Sequence, residues 1–322
     1  MKILVTGANG FIGKGLVNLL KDSGYDVVSA VRHPTNIAGE RLVGEIDSTT
    51  DWRAALEGVD VVVHLAARVH VMKEEPETTQ AEFYRVNTEG TLKLAKQAAQ
   101  AGVKRLIFLS TIKVNGESTA NQISFSPEDS PAPSDSYARS KWEAEKGLME
   151  ISKRHGLDVV IVRPPLVYGP GVKANFQSLV NSIQKRIPLP LGAIHNRRSL
   201  VYLGNLISLI KTCIDHPKAA NQTFLVSDDE DLSTTQLIKR LAKAMSRTVY
   251  LIPIPSKVIV FGFSLLGKRS FSQRLLGNLQ VDIKKTKETL GWVPPYCVDE
   301  GLSSVVGEDQ TQEKVRGSAN SL

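Results

Sequence analysis

Cysteine is nearly absent from this 322-residue chain, with Cys213 and Cys297 the only two. Two thiols cannot build a disulfide framework, and they show no metal-ligand spacing, so a stapled secreted scaffold and a cysteine zinc site are both excluded. A reduced, cytoplasmic setting is expected. Long apolar runs are also lacking. Ile3-Leu4-Val5 is broken at once by Thr6-Gly7-Ala8-Asn9-Gly10, whereas a secretory leader needs about 7–15 uninterrupted apolar residues, so no leader is expected. The longest later run, Val258 to Leu266, contains Gly262 and Ser264. It falls short of the roughly 20 residues that cross a bilayer and reads as a packed helix, so no integral membrane segment is expected. Internal repeats and low-complexity stretches are missing too, which excludes a solenoid.

What is present is an ordinary globular composition, 42% hydrophobic and 23% charged, long enough for one large α/β unit or a domain with a smaller partner. Forty basic residues against 33 acidic ones give a net charge of +7. That excess points to an anionic partner: nucleic acid, a membrane or a phosphorylated small molecule. Basic residues such as Lys284, Lys285 and Lys287 are not interleaved with aromatic side chains. Single-strand binders need that interleaving, so a nucleic-acid role is not expected.

The first half alternates short β-branched runs with helical patterns. Strands are expected at Lys2–Thr6, Asp26–Val31, Val59–Leu65, Arg105–Ser110 and Asp158–Arg163, each nearly continuous in apolar residues as in strands buried on both faces. Helices are expected near Phe11–Ser23, Trp52–Glu57, Tyr84–Ala101 and Tyr137–His155. This alternation predicts an α/β fold with a doubly wound parallel sheet, whose ligands bind at the carboxyl ends of the strands. The proline-containing connection from Asn115 to Ser136 reads as a flap beside the site. Beyond it, helices near Phe176–Arg186, Leu206–Asp215 and Thr234–Met245 separated by proline-rich turns suggest a smaller mixed α/β lobe. The expected division is a dinucleotide-binding domain over 1–165, a substrate lobe over 166–306 with some chain returning to the sheet, and a frayed tail over 307–322.

The first strand runs directly into Gly7-Ala8-Asn9-Gly10-Phe11-Ile12-Gly13 and then a helix. Gly7 permits the tight turn, Gly10 lets a pyrophosphate approach the backbone, and Gly13 lets helix and strand pack closely. With Asn9, Phe11 and Ile12 between them, these residues form a dinucleotide cradle, because the helix N-terminus offers free N–H groups and partial positive charge. An acidic residue at the end of the second strand would select NAD. Here that strand ends Ala30-Val31-Arg32-His33-Pro34. Arg32 can pair with a 2′-phosphate, so NADP(H) is the expected cofactor, with NAD(H) also admitted.

Tyr137 and Lys141 stand four apart at the start of a helical segment and share one face. An adjacent ammonium favours the phenolate and is expected to lower the tyrosine pKa toward that of a working acid/base. The strand upstream ends in Ser110-Thr111, where a hydroxyl can reach the same substrate oxygen.

Gly7, Gly10 and Gly13, the hydroxyl pair Ser110-Thr111, and Tyr137 with Lys141 together resemble the extended short-chain dehydrogenase/reductase family, in the nucleotide-sugar branch typified by UDP-galactose 4-epimerase. The resemblance spans about the first 300 residues. It implies that Asp47 contacts adenine, that Leu65, Ala66 and Ala67 run beside the dinucleotide, that Asn87 shapes the site, and that Pro164 leads the chain over the nicotinamide. It places Thr111 on the catalytic serine position with Ser110 just before it. It also implies a nucleotide-sugar site with Thr111, Asn175 and Leu191 around the substrate and with Arg198 and Arg274 around its diphosphate.

Asn115 stands where many epimerases carry tyrosine. The segment Ser110–Glu117 looks more like bacterial 4-reductases of UDP-4-keto-6-deoxy-N-acetylhexosamines, the UDP-N-acetylquinovosamine type that serves surface-polysaccharide biosynthesis. The resemblance thus implies 4-keto reduction of such a sugar, with 4-epimerization of a UDP-hexose or UDP-N-acetylhexosamine on tightly held NAD as the alternative. A non-catalytic NADP-binding regulator is the alternative from another class, against which the intact Tyr137 and Lys141 stand. No metal is implied, and a homodimer is common in the family.

Overall fold

The computed structural model describes residues 1–35, 39–69, 76–119, 123–172, 175–265 and 275–307. Among these, seven strands make one sheet: β1 (Lys2–Thr6), β2 (Asp26–Val31), β3 (Glu40–Leu42), β4 (Val61–His64), β5 (Arg105–Leu109), β6 (Asp158–Arg163) and β9 (Gln222–Leu225). Their spatial order is β3-β2-β1-β4-β5-β6-β9, and every neighbouring pair is parallel. The doubly wound sheet expected from the sequence is therefore present. Chain direction across the sheet reverses between β1 and β4, the topological switch point where such sheets open a crevice.

Both faces of the sheet are covered, which is why its strands are apolar throughout. Val5, Val63, Ile107 and Val160 face a core closed by α1 (Phe11–Asp22) and α6 (Leu203–Asp215). Leu4, Val62, Leu106, Phe108 and Ile161 face the other core, closed by α3 (Thr91–Gln100) and α4 (Ser136–His155). The helix expected at Trp52–Glu57 is a run of turns instead. It is held by the fully buried Trp52, whose backbone N–H donates to Gln97 Oε1 at 2.6 Å; six residues are too few to nucleate a helix without such help.

The smaller lobe contains β7 (Leu166–Tyr168), β8 (Arg198–Tyr202) and β10 (Asp231–Leu232), with β7 and β8 parallel and β8 and β10 antiparallel. Its helices among the described residues include α5 (Asn175–Gln184), α7 (Thr234–Ala244) and α8 (Ser256–Leu265). A short helix, Lys284–Leu290, packs under β9. Phe11, at the start of α1, packs against the core of this lobe, so the glycine loop and the lobe meet.

The connection expected to be a flap is fastened at several points. Phe125 N donates to Gln280 O at 2.8 Å, Asp282 N to Phe125 O at 2.9 Å and Thr119 N to Asn278 O at 3.0 Å. It forms a braced wall rather than a free flap, because these backbone groups pair with residues 278–282. Within the tail, residues 308–322 lie outside the described residues, as does Arg274.

Candidate active site

The glycine loop closes through Gly10 N donating to Gly7 O at 2.9 Å. Gly7 has φ +66°, and a Cβ there would stand 2.9 Å from Ala66 N, at the loop after β4; at Gly13 a Cβ would stand 2.1 Å from Gly7 O. A side chain at either place would collide with backbone and force the turn open. Gly10 precedes α1 in extended conformation and gives no side-chain cap, and the first turn has no acidic residue. The contrast with α4 is direct, since Asp135 caps that helix by accepting from Ala138 N at 2.7 Å. An uncapped N-terminus with unpartnered N–H groups suits a phosphate, so these residues fit a dinucleotide.

Around this cradle, Thr6 Oγ1 accepts from Ala66 N at 3.1 Å and lies 2.6 Å from His64 Nδ1, while His64 Nε2 lies 2.9 Å from Thr91 Oγ1. Burial pushes the His64 imidazole down to about 3, with the Lys141 ammonium adding to the shift. His64 is therefore a neutral strut that fixes Leu65, Ala66 and Ala67 beside Gly7. Asp47 is held by Thr49 and by Arg85, whose Nη1 donates to Asp47 Oδ2 at 2.9 Å. Hydrogen bonds from Thr49, and the Arg85 guanidinium after them, keep its carboxyl below the usual range.

Arg32 is exposed at the end of β2, and its guanidinium reaches Glu45 only at 3.5 Å. A carboxylate thus stands near the place where the sequence suggested none, contributed by a different loop.

Asn87 occupies a π-helical turn, Tyr84–Gly90, between α2 (Pro76–Phe83) and α3. Such turns widen the helix and often mark functional positions. Asn87 Oδ1 accepts from Arg68 N at 2.8 Å, and Nδ2 donates to Arg68 O at 3.1 Å and Ser140 Oγ at 3.0 Å. One buried amide thereby ties the loop after β4 to α4.

Tyr137 and Lys141 lie on successive turns of α4, Tyr137 half-buried with its ring edge against Phe83 at 5.9 Å. Lys141 Nζ donates to Leu109 O at 2.8 Å and sits 4.4 Å from the centre of the Phe108 ring. That pins it to the end of β5, where Thr111 follows as the cap of a short turn, Ile112–Val114. The expected lowering of the tyrosine pKa is not what the structure gives. Burial, and then the Asp135 carboxylate, push the phenol above its ordinary 10. Burial likewise pushes the Lys141 ammonium down to about 7, against the opposing pull of Glu145. Desolvation is the largest cause of both shifts.

Ser110 and Thr111 part ways here. Ser110 is buried, and its Oγ donates to Glu145 Oε1 at 2.5 Å. Arg163, the last residue of β6, donates through Nε to the same oxygen at 3.0 Å, through Nη2 to Oε2 at 2.5 Å and through Nη1 to Asn115 Oδ1 at 2.9 Å. The Ser110 hydroxyl is thus committed to a buried network, and Thr111 is the strand-end hydroxyl nearer solvent. Ile112 N donates to Pro164 O at 2.9 Å, which extends the pairing of β5 and β6 beyond the strands and fixes the Pro164 segment against Thr111. Glu145 and Arg163 were not singled out from the sequence. Their signals were a carboxylate four residues after Lys141 on the same helix face and a charge directly after the four apolar residues 159–162.

In the smaller lobe, Leu191 is buried and α5 begins at Asn175. Arg198 Nη1 donates to Gly277 O at 3.0 Å, and burial lowers its pKa. Lys141 ties α4 to the end of β5, and the two hydroxyls nearby in the chain, Thr111 and Tyr137, are groups that can exchange a proton.

The chain matches the model of the NAD dependent epimerase/dehydratase family over residues 3–227. It is 51% identical over 304 residues to UDP-glucose 4-epimerase of Vibrio cholerae, covering 93% of each chain. Among solved structures it resembles MoeE5 in complex with UDP-glucose and NAD, at 23% identity, a TM-score of 0.77 and coverage of 97% of this chain and 99% of that one. It also resembles UDP-glucuronic acid 4-epimerase from Bacillus cereus in complex with NAD, at 23% identity, a TM-score of 0.76 and coverage of 95% and 98%. The parallel sheet, the glycine cradle at its switch point and the match over the first 227 residues lead to one conclusion: the chain belongs to the NAD dependent epimerase/dehydratase family.

Proposed function

We propose that this chain is a C4 oxidoreductase of UDP-hexoses and that its net reaction is 4-epimerization. The observation that carries the reading is the alignment of Tyr137 and Lys141 on α4, with Lys141 bonded to Leu109 O beside Thr111, in a chain 51% identical to a UDP-glucose 4-epimerase. Gly7, Gly10 and Gly13 with the uncapped start of α1 would hold the pyrophosphate of a dinucleotide, Asp47 its adenine end, and residues 65–67 and Pro164 its nicotinamide end. When bound there, a nicotinamide supplies an acceptor and donor of hydride.

The chain's own residues handle the proton and the geometry. Thr111 orients the C4 oxygen of the sugar, and Tyr137 exchanges a proton with it. When the C4–H bond is oxidised, the hydroxyl proton passes to the tyrosine oxygen; when the ketone is reduced from the other face, Tyr137 returns it. The Lys141 ammonium favours the ionised form that the first half requires, and its pKa of about 7 lets it respond to that demand near neutral pH. Arg198, with Leu191 and the start of α5, would face the diphosphate and base.

A second reading, 4-keto reduction of a UDP-4-keto-6-deoxy-N-acetylhexosamine with NADPH, is favoured by Arg32. It is exposed, and only a 3.5 Å approach to Glu45 engages it, so it is free to turn toward a 2′-phosphate. The upward push that burial gives the Tyr137 phenol also suits a reaction that begins with proton donation. One experiment separates the two. The protein is incubated with UDP-glucose, UDP-GlcNAc and a UDP-4-keto-6-deoxy sugar, with and without NADPH, and absorbance and sugar products are followed. Interconversion of C4 epimers without added cofactor supports the first reading, stoichiometric NADPH oxidation with the ketose supports the second, and no change at C4 in any arm refutes both.

A further inference from the structure

The net charge of +7 is unevenly placed. Residues 159–214 and 232–281 together carry fifteen of the forty lysines and arginines and none of the thirty-three acidic residues. The rest of the chain is therefore acidic on balance. The unbalanced stretches build most of the smaller lobe, and this lobe also bears a group of exposed apolar side chains: Ile187, Tyr250, Ile252, Val258, Val260 and Phe261.

The segments that carry these side chains run next to one another. Leu189 N donates to Tyr250 O at 2.9 Å, Ile252 N to Leu189 O at 2.9 Å and Gly192 N to Ile252 O at 3.0 Å, so the chain after α5 runs beside residues 250–252. Pro253 to Pro255 then lead into α8, where Val258 N donates to Pro255 O at 3.0 Å. Within α8, Ile259 packs on the lobe's core while Phe261, 65% exposed, and Val258, 57% exposed, point outward. Lys185, Arg186, Arg247 and Lys257 are exposed along the same path, and none of them forms an ion pair among the described residues.

We propose that this face is a docking surface for an anionic lipid bilayer, on which the protein sits peripherally. Aliphatic and aromatic side chains interleaved with free cations are what a headgroup boundary accepts: the apolar groups leave water while the cations stay at phosphate level. A second copy of this chain fits less well, since a twofold contact through this face would set Lys185, Arg186, Arg247 and Lys257 against their own kind. Nucleic acid gains nothing from Ile187, Ile252, Val258 and Val260, which cannot stack on bases. The candidate active site lies at the carboxyl ends of the main sheet, so docking would not require a catalytic side chain.

The test is sedimentation of the full chain with vesicles of phosphatidylglycerol and phosphatidylcholine, and with vesicles of phosphatidylcholine alone, at low and high salt. Binding is expected with the anionic vesicles and is expected to fall as salt rises. A basic residue near such a surface is worth roughly a fivefold factor, so Lys185→Gln with Arg186→Gln should weaken binding roughly twenty- to thirtyfold. Val258→Ser with Phe261→Ser should weaken it about tenfold or more. Unchanged thermal melting shows that the variants fold, and hydrogen exchange should report protection of residues 250–261 on vesicles only in the parent. Three results would overturn the proposal: no preference for anionic vesicles, binding indifferent to both double variants, or a concentration-dependent dimer that Phe261→Ser dissolves.

Discussion

Replacing Glu145 by leucine removes the acceptor at the centre of the network behind the candidate site. Its side chain is 1% exposed and that of Arg163 4% exposed. Glu145→Leu strands the Arg163 Nε and Nη2 donors and the Ser110 hydroxyl, all of which it accepts from. Only the bond from Arg163 to Asn115 Oδ1 remains. Breaking a buried pair from one side costs about 3–5 kcal/mol, because the remaining charge is left without a partner or water. For a chain of this size that is a fall in Tm of roughly 4–7 °C by scanning calorimetry or circular dichroism.

Two further outcomes distinguish a network from mere packing loss. Glu145→Leu with Arg163→Met should recover most of the loss, since no buried charge is then unpaired. Ser110→Ala removes one charge-assisted bond and should cost about 1.5–3 kcal/mol, less than Glu145→Leu. Loss of the carboxylate that raises the Lys141 pKa should also move that group below about 7 and shift the matching limb of the rate profile to lower pH. A Glu145→Leu protein as stable as its parent, or a double variant no better than the single one, would refute this reasoning.

His64 gives a pH prediction. Its folded pKa of about 3 lies below the ordinary 6.5, so the unfolded chain binds the extra proton between those values. Its contribution is complete above about pH 6.5 and is lost as pH falls toward 3; by pH 5 the loss is about 2 kcal/mol. His64→Asn should show a shallower acid limb in denaturant titrations, and an unchanged limb would contradict the assignment. Gly13→Ala brings a Cβ to 2.1 Å from Gly7 O, and titration with NAD or NADPH should show cofactor affinity falling at least a hundredfold, about 3 kcal/mol. Arg32→Ala should lower the ratio of NADPH to NADH affinity if the 2′-phosphate is read there; fluorescence titration giving an unchanged ratio would assign Arg32 to solvent.

The fold was legible because the buried parallel strands announce themselves: Lys2–Thr6, Asp26–Val31 and Asp158–Arg163 have the same limits in sequence and structure. Pattern failed where structure depends on a partner. β3 has three residues, two of them exposed, and it exists because Val31 and its neighbours present a free edge. β9 pairs with β6 across about sixty intervening residues, and no local periodicity encodes that. In the site, the glycine cradle and the Tyr137–Lys141 spacing are local and readable. What the Ser110 hydroxyl bonds to was not, because its acceptor Glu145, and the Arg163 that shares that carboxylate, come from a helix and a strand far along the chain. The tyrosine pKa follows the same rule: spacing shows the ammonium, but only the packed structure shows the desolvation that raises the phenol.

The most direct test of the account follows the hydrogen at C4. A UDP-hexose deuterated at C4, or a UDP-4-ketose with NADPH deuterated at C4 of the nicotinamide, is turned over and the products are analysed by NMR and mass spectrometry. Deuterium is expected to be carried between nicotinamide C4 and sugar C4 without loss to water, with turnover falling at least a thousandfold in Tyr137→Phe while cofactor binding persists. Deuterium lost to solvent, or turnover that survives Tyr137→Phe, would contradict it.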